Sequence, residues 1–271
     1  MGRGRGPLGR LALLAALAAL TAGCERTRTL RVCADPNNLP FSNARGEGFE
    51  NRLVDLLARD MKMKVEYVWW AQRRGFVRNT LKARTCDVWP GVAAGLEMLA
   101  TTRPYYRSTY VFVSRADSGL DIASLDDPRL RRVKVGVQLV GDDASNTPPA
   151  HALARRGIVD NVRGYMLYGD YARPDPTAAV VDAVARGEVD VAVVWGPPAG
   201  YFAARADRPL RLTPVRPWLD GPQWPMVFDI SMGVRKEDVA LRRELDAALA
   251  RNRPEIQALL ARYHVPQAEA P

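Results

Sequence analysis

Apolar positions along this chain recur with two periods that alternate in a regular order. Leu30-Arg31-Val32-Cys33-Ala34 is a short strand pattern, closed by the turn cluster Asp35-Pro36-Asn37-Asn38. Phe49, Leu53, Leu56, Leu57 and Met61 then fall on one face at helical spacing, which predicts an amphipathic helix. Val65 to Trp70 is β-branched and aromatic and reads as a second strand. A shorter helical pattern, Phe76, Val77, Thr80 and Leu81, leads to a strand opening at Cys86-Asp87-Val88. The order β-α-β-α-β is that of a parallel sheet with covering helices.

The order then repeats. Val133 to Val137 is a strand, and Pro149 to Arg156 a helix ended by Gly157, which is free to take the left-handed C-terminal conformation. Pro176 to Arg186 is a second helix, with Val180, Val181 and Val184 inward and Gly187 at its end. The run Val189 to Trp195 follows as an apolar parallel strand. Ala83 to Val88 echoes Ala185 to Val191 with one residue fewer. Two similar α/β units predict two lobes facing a cleft. The polar stretch Ser114 to Leu120 marks a first crossing, and the Pro- and Gly-rich stretch Pro217 to Phe228 marks the return. Ile230 to Val234 rejoins the first lobe, with Leu241, Leu245, Leu249, Leu259 and Leu260 on closing helices. Lobe 1 is therefore expected at 30–114 and 229–271, and lobe 2 at 115–228. A double crossing makes a hinge, and hinged lobes close around ligands or partners.

Residues 1–23 stand outside this scheme. Arg3, Arg5 and Arg10 precede the apolar run Leu11 to Leu20, which is too short to span a bilayer and reads as a secretory signal. Leu20-Thr21-Ala22-Gly23-Cys24 resembles a bacterial lipobox, with Thr21 where Leu, Val or Ile is commoner. Cys24 is thus a candidate lipidation site and residues 24–29 a tether, the only contact with a membrane that this reading allows. The 271-residue chain has a net charge of +9, or +6 without the three arginines of the signal. Its basic residues are scattered, with no long run and no aromatic-interleaved patch, which argues against nucleic acid. The charge instead suits steering toward an acidic partner. With Cys24 set aside, Cys33 and Cys86 are an even pair in an oxidising compartment, a candidate disulfide whose alternative is two buried thiols.

Catalytic chemistry finds little support. His151 and His264 are the only histidines, and both read as solvated side chains. No His/Cys/Asp spacing suggests a metal, and the glycines form neither GxGxxG nor a P-loop. Glu97 is the one acid near the relevant strand end, and reads as a surface residue. The expectation is a non-enzyme with no cofactor and no metal. The aromatics are more informative, because Phe41, Trp69, Trp70, Tyr105, Tyr106, Trp195 and Trp224 fall at or near strand ends, where open α/β sheets bind ligands. Trp69 reads as core. Phe41, Trp70, Tyr105 and Trp195, with Arg103, are the candidate cleft residues.

Three strings carry a family resemblance: RVCADPNNLPFSN at Arg31–Asn43, WWAQRRGFVRNTLKA at Trp69–Ala83 and TTRPYYRSTYVFV at Thr101–Val113. They resemble the MxaJ/XoxJ-type proteins, binding-protein-like partners associated with periplasmic quinoprotein methanol and alcohol dehydrogenases. These lie within the family 3 solute-binding-protein superfamily. The likeness runs from Leu30 to Val265, with Trp89-Pro90 replacing a plain apolar pair. It implies the type II periplasmic binding protein fold, α/β and bilobal, with two parallel-sheet lobes. It also implies a periplasmic accessory role toward a PQQ-dependent dehydrogenase, with the enzyme's cytochrome c as a further partner. The alternative is the substrate-binding protein of an ABC importer for a small solute other than an amino acid. Amino-acid catchers of family 3 grip the ligand carboxylate with an Arg after the strand at Cys86, and the ammonium with an acid after the second-lobe strand. Here those places hold Gly95-Leu96-Glu97-Met98-Leu99 and Trp195-Gly196-Pro197-Pro198. A zwitterion would be left unpaired between them.

Overall fold

In the computed structural model, residues 27–140, 146–166 and 171–269 are described. The signal segment and Cys24 lie outside that range. Strand β1 (Thr29–Ala34) pairs in parallel with β2 (Lys64–Trp69), Leu30 opposite Val65 and Cys33 opposite Val68. Between them lies α1 (Phe49–Asp60), which buries Phe49, Leu53, Val54 and Leu57. The carboxamide oxygen of Asn51 accepts from the backbone N–H groups of Gly48 and Asn43, so the first turn of α1 is closed by its own side chain. Gly48 is required there, since a Cβ would stand 2.0 Å from the Phe41 carbonyl oxygen.

The short helix α2 (Phe76–Asn79) leads to Cys86 and to β3 (Trp89–Ala93). Cys33 and Cys86 form a disulfide, with Cα atoms 5.4 Å apart. Its position follows from Val88 bridging Val32 in parallel, which lays the stretch before β3 alongside β1.

The long strand β4 (Tyr106–Arg115) carries the chain out of lobe 1. Lobe 2 contains β5 (Val135–Leu139), α3 (Pro148–Arg155), β6 (Val162–Met166) and α4 (Ala179–Ala185). It continues with β7 (Val191–Trp195), α5 (Gly196–Ala203) and β8 (Leu210–Pro214). Strands β7, β5 and β6 are parallel neighbours, as a βαβ unit demands. The return strand β9 (Val227–Val234) runs antiparallel to both β3 and β4.

The crossing lies inside β4. Its first half, Tyr106–Thr109, pairs with β9, whereas Tyr110–Ser114 pairs with β7 in the lobe 2 sheet. Residues 110–114 thus belong to lobe 2 by their hydrogen bonds, although the polar stretch marks the border after Ser114. β4 is buried through both lobes, so loss of apolar character signals its end and not the hinge. The crossing strand β4 makes the sheet of β7, β5 and β6 mixed, whereas β1 and β2 pair with each other in parallel.

Helices α6 (Val239–Arg251) and α7 (Arg253–Arg262) return to pack on α1. The segment after α7 binds both lobes. Tyr263 stacks on Tyr201 of α5 at 5.8 Å and donates its hydroxyl to the Glu47 carbonyl, while Ser108 donates to the Pro266 carbonyl. A Cβ at Gly200 would lie 1.8 Å from the His264 carbonyl oxygen, so α5 touches this segment through bare backbone.

Candidate functional site

The lobes enclose a cleft of about 430 Å³. Phe41, Trp89, Tyr106 and Ile230 wall it from lobe 1, and Trp195 and Pro198 from lobe 2. Strand ends and turns deliver these rings. Trp195 is the last residue of β7, where the apolar strand meets Gly196-Pro197-Pro198 and the chain turns into α5. Its backbone N–H donates to the buried Gln138 carboxamide at 3.1 Å, and its ring packs edge-on against Tyr110 at 5.2 Å and Phe228 at 5.7 Å. Trp89 opens β3 and packs on Phe76 at 5.0 Å. The Trp-Pro pair that departs from the usual sequence thus supplies a cleft wall.

The structure divides the candidate cleft residues. Phe41 and Trp195 line the space. Tyr105 lies buried beneath it, with its hydroxyl donating to the Pro90 carbonyl at 3.1 Å. Trp70 is exposed beyond the end of β2. Arg103 is exposed, and its backbone N–H is held by Asp246 of α6. Tyr105, Trp70 and Arg103 are not among the lining residues. Met98 and Trp195, from the two stretches that lack a zwitterion clamp, do line it. Trp69 stacks on Tyr67 at 4.6 Å against the lobe 1 core. His151 is not the solvated side chain its helix position suggests. Its Nε2 accepts from the Asn146 N–H, and its ring stacks on Trp224 at 4.1 Å, so both rings serve lobe 2 packing. Glu97 and His264 are exposed.

Four polar residues of the cleft went unread in the sequence. Asn38 donates to Gln72 at 2.7 Å, giving one wall a fixed polar pair. Thr177 of lobe 2 donates to the Leu39 carbonyl of lobe 1. The fourth is Glu50, in the first turn of α1, buried with its carboxyl group in the cleft. Burial alone pushes its pKa up to about 8. It was legible in principle: residues 50, 53, 54 and 57 follow the spacing of one helix face, so an acid stood in an inward position. Burial also raises the hydroxyls of Tyr105 and Tyr106, and the nearby Glu50 carboxylate adds to it.

Three further contacts cross between the lobes beside the cleft. Asp35, buried at the end of β1, accepts from the Tyr171 hydroxyl and from the backbone N–H groups of Asn37 and Gln72. Asn37 donates to the Arg173 carbonyl at 2.8 Å, and the Arg73 guanidinium lies over the Tyr171 ring at 4.9 Å. With Thr177, these contacts fasten residues 171–177 of lobe 2 to the Asp35–Leu39 turn of lobe 1. Arg73, Arg78, Lys82 and the exposed Met98 line the cleft from lobe 1.

A two-lobed α/β chain with a double crossing and an interlobe cleft defines the class. The chain belongs to the bacterial extracellular solute-binding proteins, family 3, whose sequence model matches residues 30–266. Within that class it is homologous to Protein MoxJ of Methylorubrum extorquens, at 36% identity over 98% of this chain and 96% of that one. Two crystal structures are similar. Periplasmic binding protein XoxJ from Methylobacterium extorquens AM1 superposes with a TM-score of 0.72 at 36% identity, covering 89% of this chain and 100% of that one. MxaJ from Methlophaga aminisulfidivorans MPT gives a TM-score of 0.75 at 30% identity, covering 88% and 100%.

Proposed function

We propose that this chain is a non-catalytic periplasmic accessory protein of a PQQ-dependent methanol or alcohol dehydrogenase, which it binds through its aromatic cleft. The observation that carries this reading is the cleft itself. Met98 and Trp195 stand where a zwitterion needs charge, and ring faces from both lobes converge on the space between them. Such a surface suits a side chain of a protein partner, since buried Trp and Tyr dominate interface energies. Similarity over nearly whole chains to proteins named MoxJ, XoxJ and MxaJ supplies the choice of partner. PQQ belongs to the dehydrogenase in this reading, and the enzyme's cytochrome c is a second candidate partner.

Deleting the gene should lower alcohol-dependent dye reduction in periplasmic extracts, and the tagged chain should retain the dehydrogenase on purification. Trp195→Ala should weaken the association by about 1–3 kcal/mol if that ring is an anchor. Unchanged activity together with no retained enzyme would favour the importer reading. That second reading has its own support in the cleft volume of about 430 Å³, which falls within the usual range for small-molecule pockets.

A further inference from the structure

We infer that Glu50 is the polar anchor of the cleft, and that the partner segment seated there offers it a neutral hydrogen-bonding group, a phenol, alcohol or amide carried on an apolar side chain. This rests on the accessory reading above, and adds to it the chemistry that the cleft selects.

Glu50 is an acid without a partner among the described residues, at the edge of the cleft. Glu50 is 6% exposed and its carboxyl group lines the cleft. Among the described residues its side chain has no hydrogen-bond or ion-pair partner, and desolvation is the one influence acting on it. A largely buried acid that has no protein partner and opens onto a cleft is free to hydrogen-bond whatever enters it. The backbone of β3 is shaped to leave the carboxyl room, because a Cβ at Gly91 would stand 2.0 Å from its Oε1. Glu50 therefore shares the cleft with the rings of Phe41, Phe76, Trp89, Tyr106 and Trp195.

The charges around it decide what it can receive. The groups facing Glu50 are the hydroxyls of Tyr105 and Tyr106 at the start of β4 and of Tyr67 on β2, all held neutral by burial. The Tyr105 hydroxyl is already committed to Pro90. From the other elements, Arg73, Arg78 and Lys82 line the same cleft, so an incoming cation would pass three like charges. With a pKa of about 8 the carboxyl is mostly neutral at pH 7, and can donate as well as accept. A neutral group with both capacities matches it. The apolar lining also reaches solvent at Met98, which is 48% exposed. That continuity suits a side chain borne on a larger body better than a fully enclosed solute.

Calorimetric titration of the full chain with four small probes tests the anchor. p-Cresol and benzamide should bind, with toluene at least about tenfold weaker and benzylamine weaker than p-cresol. From pH 7 to pH 9 benzamide, whose carbonyl needs the proton of Glu50, should lose affinity relative to p-cresol, which can still donate to the carboxylate. Glu50→Gln should flatten that profile. Glu50→Leu, which removes the carboxyl group altogether, should erase the preference for p-cresol over toluene. Toluene binding as tightly as p-cresol, benzylamine binding best, or a preference surviving Glu50→Leu would each overturn the anchor. Purified dehydrogenase should displace p-cresol. If the enzyme co-purifies but leaves p-cresol bound, the segment is seated elsewhere and this inference fails while the accessory reading stands. If no enzyme binds and the probe selectivity holds, the accessory reading and the segment fall together, leaving Glu50 as the anchor for a free solute.

Discussion

Glu50 sets the terms at the scale of the residue. A carboxyl whose folded-state pKa is raised holds its proton while the unfolded chain gives it up. Its cost is therefore absent below the ordinary carboxylate range, grows as pH rises from there, and is complete above about pH 8. Glu50→Gln removes the ionisation and keeps the shape. In the free protein it should stabilise the fold by on the order of 3 kcal/mol at pH 7, and by little at pH 4. Thermal unfolding of both proteins across that range checks this, and equal gains at both ends would refute a buried, proton-holding Glu50. An acid that costs stability without a partner is placed for binding, which links this residue to the cleft.

Lobe 1 depends, at the scale of the element, on how β1 is held. It pairs with β2 along one side and meets the stretch before β3 through the Val32–Val88 bridge and the Cys33–Cys86 disulfide. The same corner is fixed by Asp87, which accepts from the guanidinium groups of Arg31 and Arg235. The bridged residues are 53 apart in sequence, so on the chain-entropy account the disulfide contributes about 4 kcal/mol. Replacing both Cys33 and Cys86 with Ser should lower stability by that order in denaturant titration. A loss under about 1 kcal/mol would mean that the Asp87 contacts hold the corner without it. Because Trp89 and Gly91 lie on β3, which follows directly on this corner, loosening it should also weaken probe binding in the cleft.

Besides the segment after α7, two joints govern the whole molecule. One is the pair of crossing strands, β4 and β9, hydrogen-bonded to each other through the hinge. The other is the contact of residues 171–177 with the Asp35–Leu39 turn, centred on the Tyr171 hydroxyl and Asp35. Tyr171→Phe deletes one charge-assisted hydrogen bond and leaves Asp35 its two backbone donors. It should cost about 1–2 kcal/mol of lobe-closing energy. Small-angle scattering should then report a larger radius of gyration for the variant than for the parent chain. An unchanged radius would mean that the segment after α7, through Tyr263 and Pro266, is enough to hold the lobes.

The sequence pattern leaves β4, β6, α5 and β8 unmarked. What the sequence by itself determined is the two α/β units and the family likeness, with Cys33 and Cys86 as a candidate pair. Each of these is written in local periodicity, in composition or in short strings of neighbours. The strand at Val191–Trp195 and the helix at Pro148–Arg155 fall within a few residues of where the pattern puts them. Only the tertiary structure decided which aromatics share the cleft. Trp69 and Trp70 are adjacent in sequence, yet alternation along β2 and its end sends one to the core and the other to solvent. Tyr105 and Tyr106 divide in the same way, one bonded beneath the site and the other lining it. The hinge position was equally hidden, because β4 is buried on both sides of the crossing and its composition does not change there. Glu50 stood in plain view at an inward helix position, but its lack of a partner depends on β3 and β4 packing against it from 40 or more residues away. Long-range packing sets the burial of a charge, and one-dimensional spacing does not carry it.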